Sequence, residues 1–251
     1  DLPALDRAEI VRTLREREVE VMINFLPVGS QEAVEFYAGC AIEAGCAFVN
    51  GIPVLIASDP KWSAKFRAGG VPVLGDDFKA QMGATIVHRT LSHLFDMRGV
   101  HMDRTYQLNV GGNTDFLNMM DHDRLLTKRL SKTEAVQTAM VNRLEDQQIR
   151  IGPSDYVPWL NDNKIAYVRL EGRLFGGVPM EIEARVSVED SPNAAAMALI
   201  AIRLAKIAKD RGLSGDVGSI ASFLFKHPPV QVADEIALAG MLAFADGGEA
   251  E

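Results

Sequence analysis

Residues 19–75, VEVMINFLPVGSQEAVEFYAGCAIEAGCAFVNGIPVLIASDPKWSAKFRAGGVPVLG, decide the fold. Val19 to Leu26 alternates into a mostly buried strand, and Pro27-Val28-Gly29-Ser30 breaks it. Ser30 is placed to cap a helix that carries Val34, Tyr37, Ala38 and Ala41 toward Gly45. A strand, Ala47-Phe48-Val49-Asn50, follows at once. Ser58-Asp59-Pro60 then opens a helix over residues 61–68, and Val71-Pro72-Val73-Leu74-Gly75 is the next strand. A short helix over residues 3–16 precedes the series. The repeating order of strand, helix and strand is the grammar of a doubly wound parallel sheet, which takes its ligands at the carboxyl ends of the strands.

Asp76 and Asp77 stand at such an end. An amphipathic helix follows, marked by Met82, Ile86, Val87, Leu91, Leu94 and Phe95. Capping that helix accounts for one of the two acids, and the other, with Lys79, faces a ligand or water. His88 and His93 have no second metal ligand at a useful spacing and read as structural. From Met102 the even positions Met102, Tyr106, Leu108 and Val110 are mostly apolar while Asp103, Thr105, Gln107 and Asn109 are polar, the period of a half-buried strand. Gly111-Gly112 ends it, and the freedom of two glycines suggests that Asn109, Asn113 and Asp115 converge around one turn that another molecule can approach. The competing reading is a strand, an Asx-type turn and a helix cap.

Ser131-Lys132-Thr133-Glu134 has the spacing of a capping box, which puts Lys132 in the first turn of a helix with Lys128 and Arg129 close behind. Cations are disfavoured at that end of the helix dipole unless an anion such as phosphate sits among them; otherwise these side chains extend into water. Farther on, residues 165–170 and 180–188 are strands with no room between them for a crossover helix, so they pair antiparallel. In the second, Met180, Ile182, Ala184, Val186 and Val188 share one face, and Asp190 has the same parity. A carboxylate placed there requires a partner, and a lysine is the natural one. Ser191-Pro192 opens a mostly apolar helix running to Gly212, Phe223 to Pro229 ends another, and residues 231–244 form a last amphipathic one.

With 251 residues, 47% hydrophobic, the chain has ample material for a core. A formal charge of −8 excludes a general nucleic-acid binder, which needs a basic face, so any anion must be met locally. Cys40 and Cys46 lie in an apolar helical segment and read as buried thiols of a reducing compartment. No run is long enough to span a bilayer and no signal peptide is visible, so the expected compartment is the cytoplasm.

Lys128, Lys132, Lys164 and Lys226 each lie at a break or boundary, with Asp76, Asp77, Asp162 and Asp190 as the matching carboxylates. No Ser-His-Asp or Cys-His arrangement accompanies them, and lysines near developing oxyanions suit enolisation and aldol chemistry on a sugar phosphate. The blocks GDDFKAQMGATIVHR, YQLNVGGNTDFLNM, KRLSKTEAV, IGPSDYVPWLNDNK, YVRLEGR and EDSPNAA, spread in order over nearly the whole chain, resemble those of the myo-inositol-1-phosphate synthase family in its shorter actinobacterial form. The resemblance implies an α/β protein: a partial Rossmann-like doubly wound domain, residues 1–78 and 191–251, with an inserted α+β catalytic and tetramerisation domain, residues 79–190. It implies an NAD-dependent isomerase of inositol and phospholipid biosynthesis, a homotetramer that converts glucose 6-phosphate to inositol phosphate by oxidation at C5, enolisation, aldol closure and reduction.

By the same resemblance Lys128, Lys132, Lys164 and Lys226 bind phosphate and stabilise the alkoxide and enolate oxygens, while Asp190 and Asp162 orient the lysines. Tyr37, Asp77, Ala80, Asn109, Asn113, Asp115 and Lys128 fall on the cofactor side, and no metal is implied. Ala80 departs from the family's usual serine, leaving only backbone groups for contact. The family also opens with a glycine-rich strand-turn-helix that cradles the NAD pyrophosphate, and this sequence starts after it, so the expectation is an incomplete nucleotide-binding domain. Two other functions remain open: another NAD-linked sugar-phosphate oxidoreductase, or a non-catalytic oligomerisation module.

Overall fold

The structure, a computed structural model, describes residues 6–118, 133, 136, 137, 140 and 142–248. Along the chain come α1 (Arg7–Glu16), β1 (Val21–Asn24), α2 (Gln31–Ala44), β2 (Ala47–Asn50), α3 (Pro60–Ala68), β3 (Pro72–Leu74), α4 (Ala84–Met97) and β4 (His101–Gly111). Then follow α5 (Thr114–Asn118), β5 (Ile149–Tyr156), β6 (Asn163–Arg173), β7 (Pro179–Glu189), α6 (Asp190–Asp210), β8 (Gly215–Asp216), α7 (Ala221–Leu224) and α8 (Asp234–Ala245). The chain divides into two compact units, Asp1–Phe78 with Ala198–Glu251, and Lys79–Met197.

The first unit holds a parallel sheet in the order β1-β2-β3-β8, the α/β architecture implied by the alternation of strands and helices. Local chemistry explains its elements. Asp6 and Asp59 accept from the amides of Ala8 and Lys61 and so cap α1 and α3, and Pro60 supplies a first-turn residue with no amide to satisfy. Gly45 ends α2 in the left-handed region at φ 79°, where a side chain would be strained. Ser30 precedes α2 but makes no side-chain cap. All of β2 is buried, and Phe48 stacks on Phe66 at 5.9 Å in a core completed by Val34, Ala38, Ile56 and Val73. Cys40 and Cys46 are buried free thiols, and burial pushes both up from the usual thiol range.

The second unit is built on the mixed sheet β5-β4-β6-β7, with β4 parallel to β5 and antiparallel to β6. The antiparallel pairing of β6 with β7 matches expectation and runs from Asn163↔Glu189 to Arg173↔Pro179. One face packs on α4, where Leu91 and Phe95 meet Val168, Leu170, Met180, Ile182 and Ala184. The half-buried strand β4 covers its polar side rather than its apolar one. Thr105, Gln107 and Asn109 face inward and are buried, while Leu108 is exposed on the other side.

This orientation has a physical reason, because the buried polar groups satisfy one another. The Thr105 hydroxyl donates to the Arg169 carbonyl, and His88 on α4 meets that hydroxyl through Nε2 at 2.7 Å and Gln107 through Nδ1 at 3.3 Å. Gln107 Nε2 donates to Asn109 Oδ1, and Asn109 Nδ2 to the Gly152 carbonyl at 2.8 Å. A linked set of this kind costs little to bury. His88 is therefore structural, as its sequence context suggested.

Burial lowers the His88 pKa to about 4 from an ordinary 6.5. Between those values the unfolded chain binds a proton that the native imidazole refuses, so stability is lost as pH falls through that window. The shift is equivalent to about 3 kcal/mol. In urea unfolding at about pH 7 and about pH 4.5, His88→Gln should reduce the gap between the two midpoints; an unchanged gap would assign acid sensitivity to the carboxylates alone.

Candidate active site

In the second unit, chemistry gathers where β4, β6 and β7 end. Asp190, the first residue of α6, receives Lys164 Nζ at 2.9 Å, the lysine partner that its place beyond the apolar face of β7 required. Both side chains are largely shielded, at 22% and 19% exposure for Lys164 and Asp190, so the attraction is less screened than at an open surface. The lysine nitrogen also stands 5.7 Å from the centre of the buried Phe116 ring. Asn113 binds both acids through Nδ2, 3.2 Å from Asp190 and 3.4 Å from Asp162, and its Oδ1 accepts the Phe116 amide.

Among the described residues Asp162 bonds to Asn113 and Ser191 rather than to a lysine. It accepts the Ser191 amide at 2.9 Å and the Ser191 hydroxyl at 2.7 Å, and its carbonyl accepts the Asp190 amide at 3.0 Å. Asp162 therefore caps the start of α6, and Ser191, expected to be the N-cap itself, donates to the cap instead. Through these bonds Asp162 holds the turn that carries Asp190, the partner of Lys164.

The predicted convergence of Asn109, Asn113 and Asp115 does not occur. Asn109 is turned into the sheet, its amide spent on Gln107 and Gly152, while Asn113 lies beyond the strand end and Asp115 is half-buried in the first turn of α5. Alternation along a strand sends Asn109 to one face, and Gly111-Gly112 redirects the chain after it. What approaches these glycines closely is the protein itself. A Cβ on Gly112 would lie 2.5 Å from the Asn161 nitrogen and 2.6 Å from the Val157 carbonyl oxygen, and one on Gly111 would lie 2.5 Å from the Phe116 ring.

In the first unit, Lys226 Nζ donates to Asp77 Oδ1 at 2.8 Å, with side-chain exposures of only 13% and 5%. The main chain sets this pair. The Lys226 amide donates to the Asp77 carbonyl at 2.7 Å, Asp76 and His227 exchange two further backbone bonds, and Phe78 stacks on Phe225 at 4.8 Å. Neither acid caps α4, contrary to expectation, because its N-cap is Gly83. Asp76 instead accepts from Asn50 Nδ2, the amides of Ile56, Ala57 and Ser58, and the Ser58 hydroxyl, at 2.7–3.1 Å. Burial pushes its carboxyl up from the ordinary range, and these donors pull it back.

Tyr37 is half-buried on α2, in edge contact with Phe36, and Ala80 is partly exposed between β3 and α4. Lys128 and Lys132, with the capping box that was expected to place the latter, lie outside the described residues. The sequence reading missed Asn193 as an organising residue; it falls in the EDSPNAA block, but no periodicity marks it.

Residues 83–191 match the family model described as myo-inositol-1-phosphate synthase. Inositol-3-phosphate synthase of Mycolicibacterium smegmatis is 54% identical over 243 residues, which make up 95% of this chain and 67% of that one. This chain belongs to the myo-inositol-1-phosphate synthase family. The crystal structure of Ari2 superposes with a TM-score of 0.78 at 34% identity, over 98% of this chain and 68% of that one. A myo-inositol-1-phosphate synthase-related protein from Thermotoga maritima superposes with a TM-score of 0.76 over 98% of this chain and 70% of its own; at 23% identity it speaks for the fold alone. The family's long sequence blocks thus coincide here with the segments that carry Asp77, Lys164 and Asp190.

Gly112 leaves no room for a side chain. Gly112→Ala must displace the backbone of residues 157–161, and overpacking of that kind costs about 2 kcal/mol. Chemical denaturation should register that loss, and a neutral substitution would show that the segment yields freely.

Proposed function

We propose that this chain is an inositol-3-phosphate synthase, an NAD-dependent isomerase that converts D-glucose 6-phosphate to 1D-myo-inositol 3-phosphate, the same compound as L-myo-inositol 1-phosphate. The observation that carries the reading is the 54% identity to a relative of that name over nearly all of this chain, with the Lys164–Asp190 pair lying inside the matched blocks. Family membership sets the reaction class, and the residues supply the roles.

NAD, when bound, supplies the acceptor for hydride from C5 and returns the hydride at the end. The parallel sheet of the first unit suits such a group by its topology, since sheets of this kind take ligands at the carboxyl ends of their strands. Asp77 and Tyr37 are the candidates of this unit to hold it there. Asn113 and Asp115 remain candidates at the nicotinamide side. Asn109 does not fit, because its amide is already spent.

On the substrate, Lys164 stabilises the negative oxygen that develops as the C5 ketone loses a proton from C6. Asp190 keeps that ammonium oriented, so little reorganisation is needed as charge appears. Asn113 keeps Asp190 in place, and Asp162 fixes the turn behind it. In the first unit Lys226, aligned by Asp77, is the candidate for stabilising a further oxyanion, and Lys128 and Lys132 are the candidates for the phosphate. The face of the second sheet that carries Leu108 and Tyr167 is exposed, and Arg169 on it is ringed by Glu171, Glu181 and Glu183. We assign this face to a homotetramer interface, in which apolar groups and paired charges are covered together.

Phosphorus NMR of a reaction containing glucose 6-phosphate and NAD tests the reading. A cyclised inositol phosphate supports it, an open-chain keto sugar phosphate assigns another NAD-linked oxidoreductase, and an oligomer that binds neither compound assigns an assembly module. Lys164→Ala should lower kcat by about a thousandfold, and a variant with near-normal kcat would remove the lysine from its role. Lys132→Ala should raise the KM for glucose 6-phosphate and leave NAD affinity unchanged, whereas equal weakening of both would show a general loss of the site.

A further inference from the structure

The order β5-β4-β6-β7 leaves β7 at the edge of the second sheet. This edge is long and regular: its eleven residues pair with β6 without a bulge, and its one proline, Pro179, is its first residue. Among the described residues no main-chain bond reaches the strand from any element but β6. A single antiparallel neighbour satisfies the amides and carbonyls of every second residue, so the alternate groups of β7 point outward. Shortness, bulges and internal prolines are the usual protections of such an edge, and β7 has none of them.

The charges beside this edge do not balance within one chain. Glu181, Glu183, Arg185 and Glu189 stand on one side of β7, the exposed side that also carries Tyr167. Arg169 holds Glu171, Glu181 and Glu183, and Arg104 joins Glu171, so three carboxylates share two guanidinium groups. Arg185 is exposed and makes no ion pair among the described residues. A second copy of the strand supplies the missing cation. A twofold antiparallel pairing centred on Ala184 sets Glu183 opposite Arg185 on both sides of the axis and Glu181 opposite Ser187. On the other side of the sheet it sets Ile182 opposite Val186 and Met180 opposite Val188. Centring on Ile182, Glu183, Arg185 or Val186 would bring like charges opposite each other, and an axis between two residues would join the charged side of one strand to the apolar side of the other.

We propose that β7 pairs edge to edge with β7 of a second copy about a twofold axis at Ala184, joining the two four-stranded sheets into one. In that register Pro179 of one copy faces Glu189 of the other. Each β6–β7 hairpin tip, with its exposed Leu174, Phe175 and Val178, then lies beside the strand end of the other copy, where Asp190 holds Lys164. The second copy thereby borders the candidate active site. This contact is distinct from the sheet face assigned above, and a tetramer with two kinds of twofold contact uses both.

Ala184→Cys and Ser187→Cys in the full protein test the register with a short bismaleimide. Cys40 and Cys46 are buried, so the unaltered protein is the blank. Two copies of residue 184 meet on the axis and should cross-link into a covalent dimer. Two copies of residue 187 stand six residues apart along the paired strands, about 20 Å, and should not. In sedimentation Arg185→Glu, which sets carboxylate against carboxylate, should halve the assembled mass, and Arg185→Lys should keep it. Hydrogen exchange at the outward amides of β7 should quicken at least about tenfold in Arg185→Glu while β6 stays protected. Arg185 is exposed, so its variants serve if Ala184→Cys does not fold. A cross-link at 187, none at 184 in a folded protein, an unchanged mass in Arg185→Glu or a monomeric unaltered protein would each overturn the proposal. None of these measurements uses glucose 6-phosphate or NAD, so they hold even if the proposed reaction fails.

Discussion

A carboxylate drawn partly out of water at the end of a sheet must find a cation, and the pairing of Asp190 with Lys164 meets that requirement across the join between β7 and α6. The rest of the second unit is arranged to keep the pair aligned. β6 and β7 run in register for eleven residues, which brings Lys164 opposite Val188, two residues before Asp190. Asn113 then bridges Asp190 to Asp162, and Asp162 secures the first turn of α6 through Ser191. Removing any member would leave charge or dipole unsatisfied in a shielded place, so the cluster is stable only as a whole.

The first unit meets the same requirement in a different way. Asp76, fully buried, is surrounded by neutral donors rather than a cation, with three successive amides from residues 56–58 among them. That fixes the chain at the end of β3, and the two-way backbone bonding of Asp76 with His227 brings Lys226 onto Asp77. Adjacent aspartates thus do separate work. One organises a loop, and the other holds an ammonium.

Much of this was legible residue by residue. The order of strands and helices, the antiparallel partner of β6, and the lysine demanded by Asp190 all follow from period, turn residues and the energetic penalty of burying charge. The inward side of β4 was not legible. Apolar Tyr106, Leu108 and Val110 argued for one face, but His88, seventeen residues before Thr105, completes a polar network on the other. A period shows that two faces differ, and only the neighbours show which is covered. The misplaced convergence of Asn109 with Asn113 has the same origin.

The sequence by itself determined the α/β class, the family and the inventory of lysines and aspartates, because those depend on local pattern and on long matching blocks. Tertiary structure decided the pairings: Asp77 with Lys226 across 149 residues, Asp76 with residues 56–58, and Asn193 with Met82 across 111. Those partners meet because strand register and helix placement carry distant segments together. Hydrogen bonding acts within about 3 Å, and separation along the chain leaves no local trace of it.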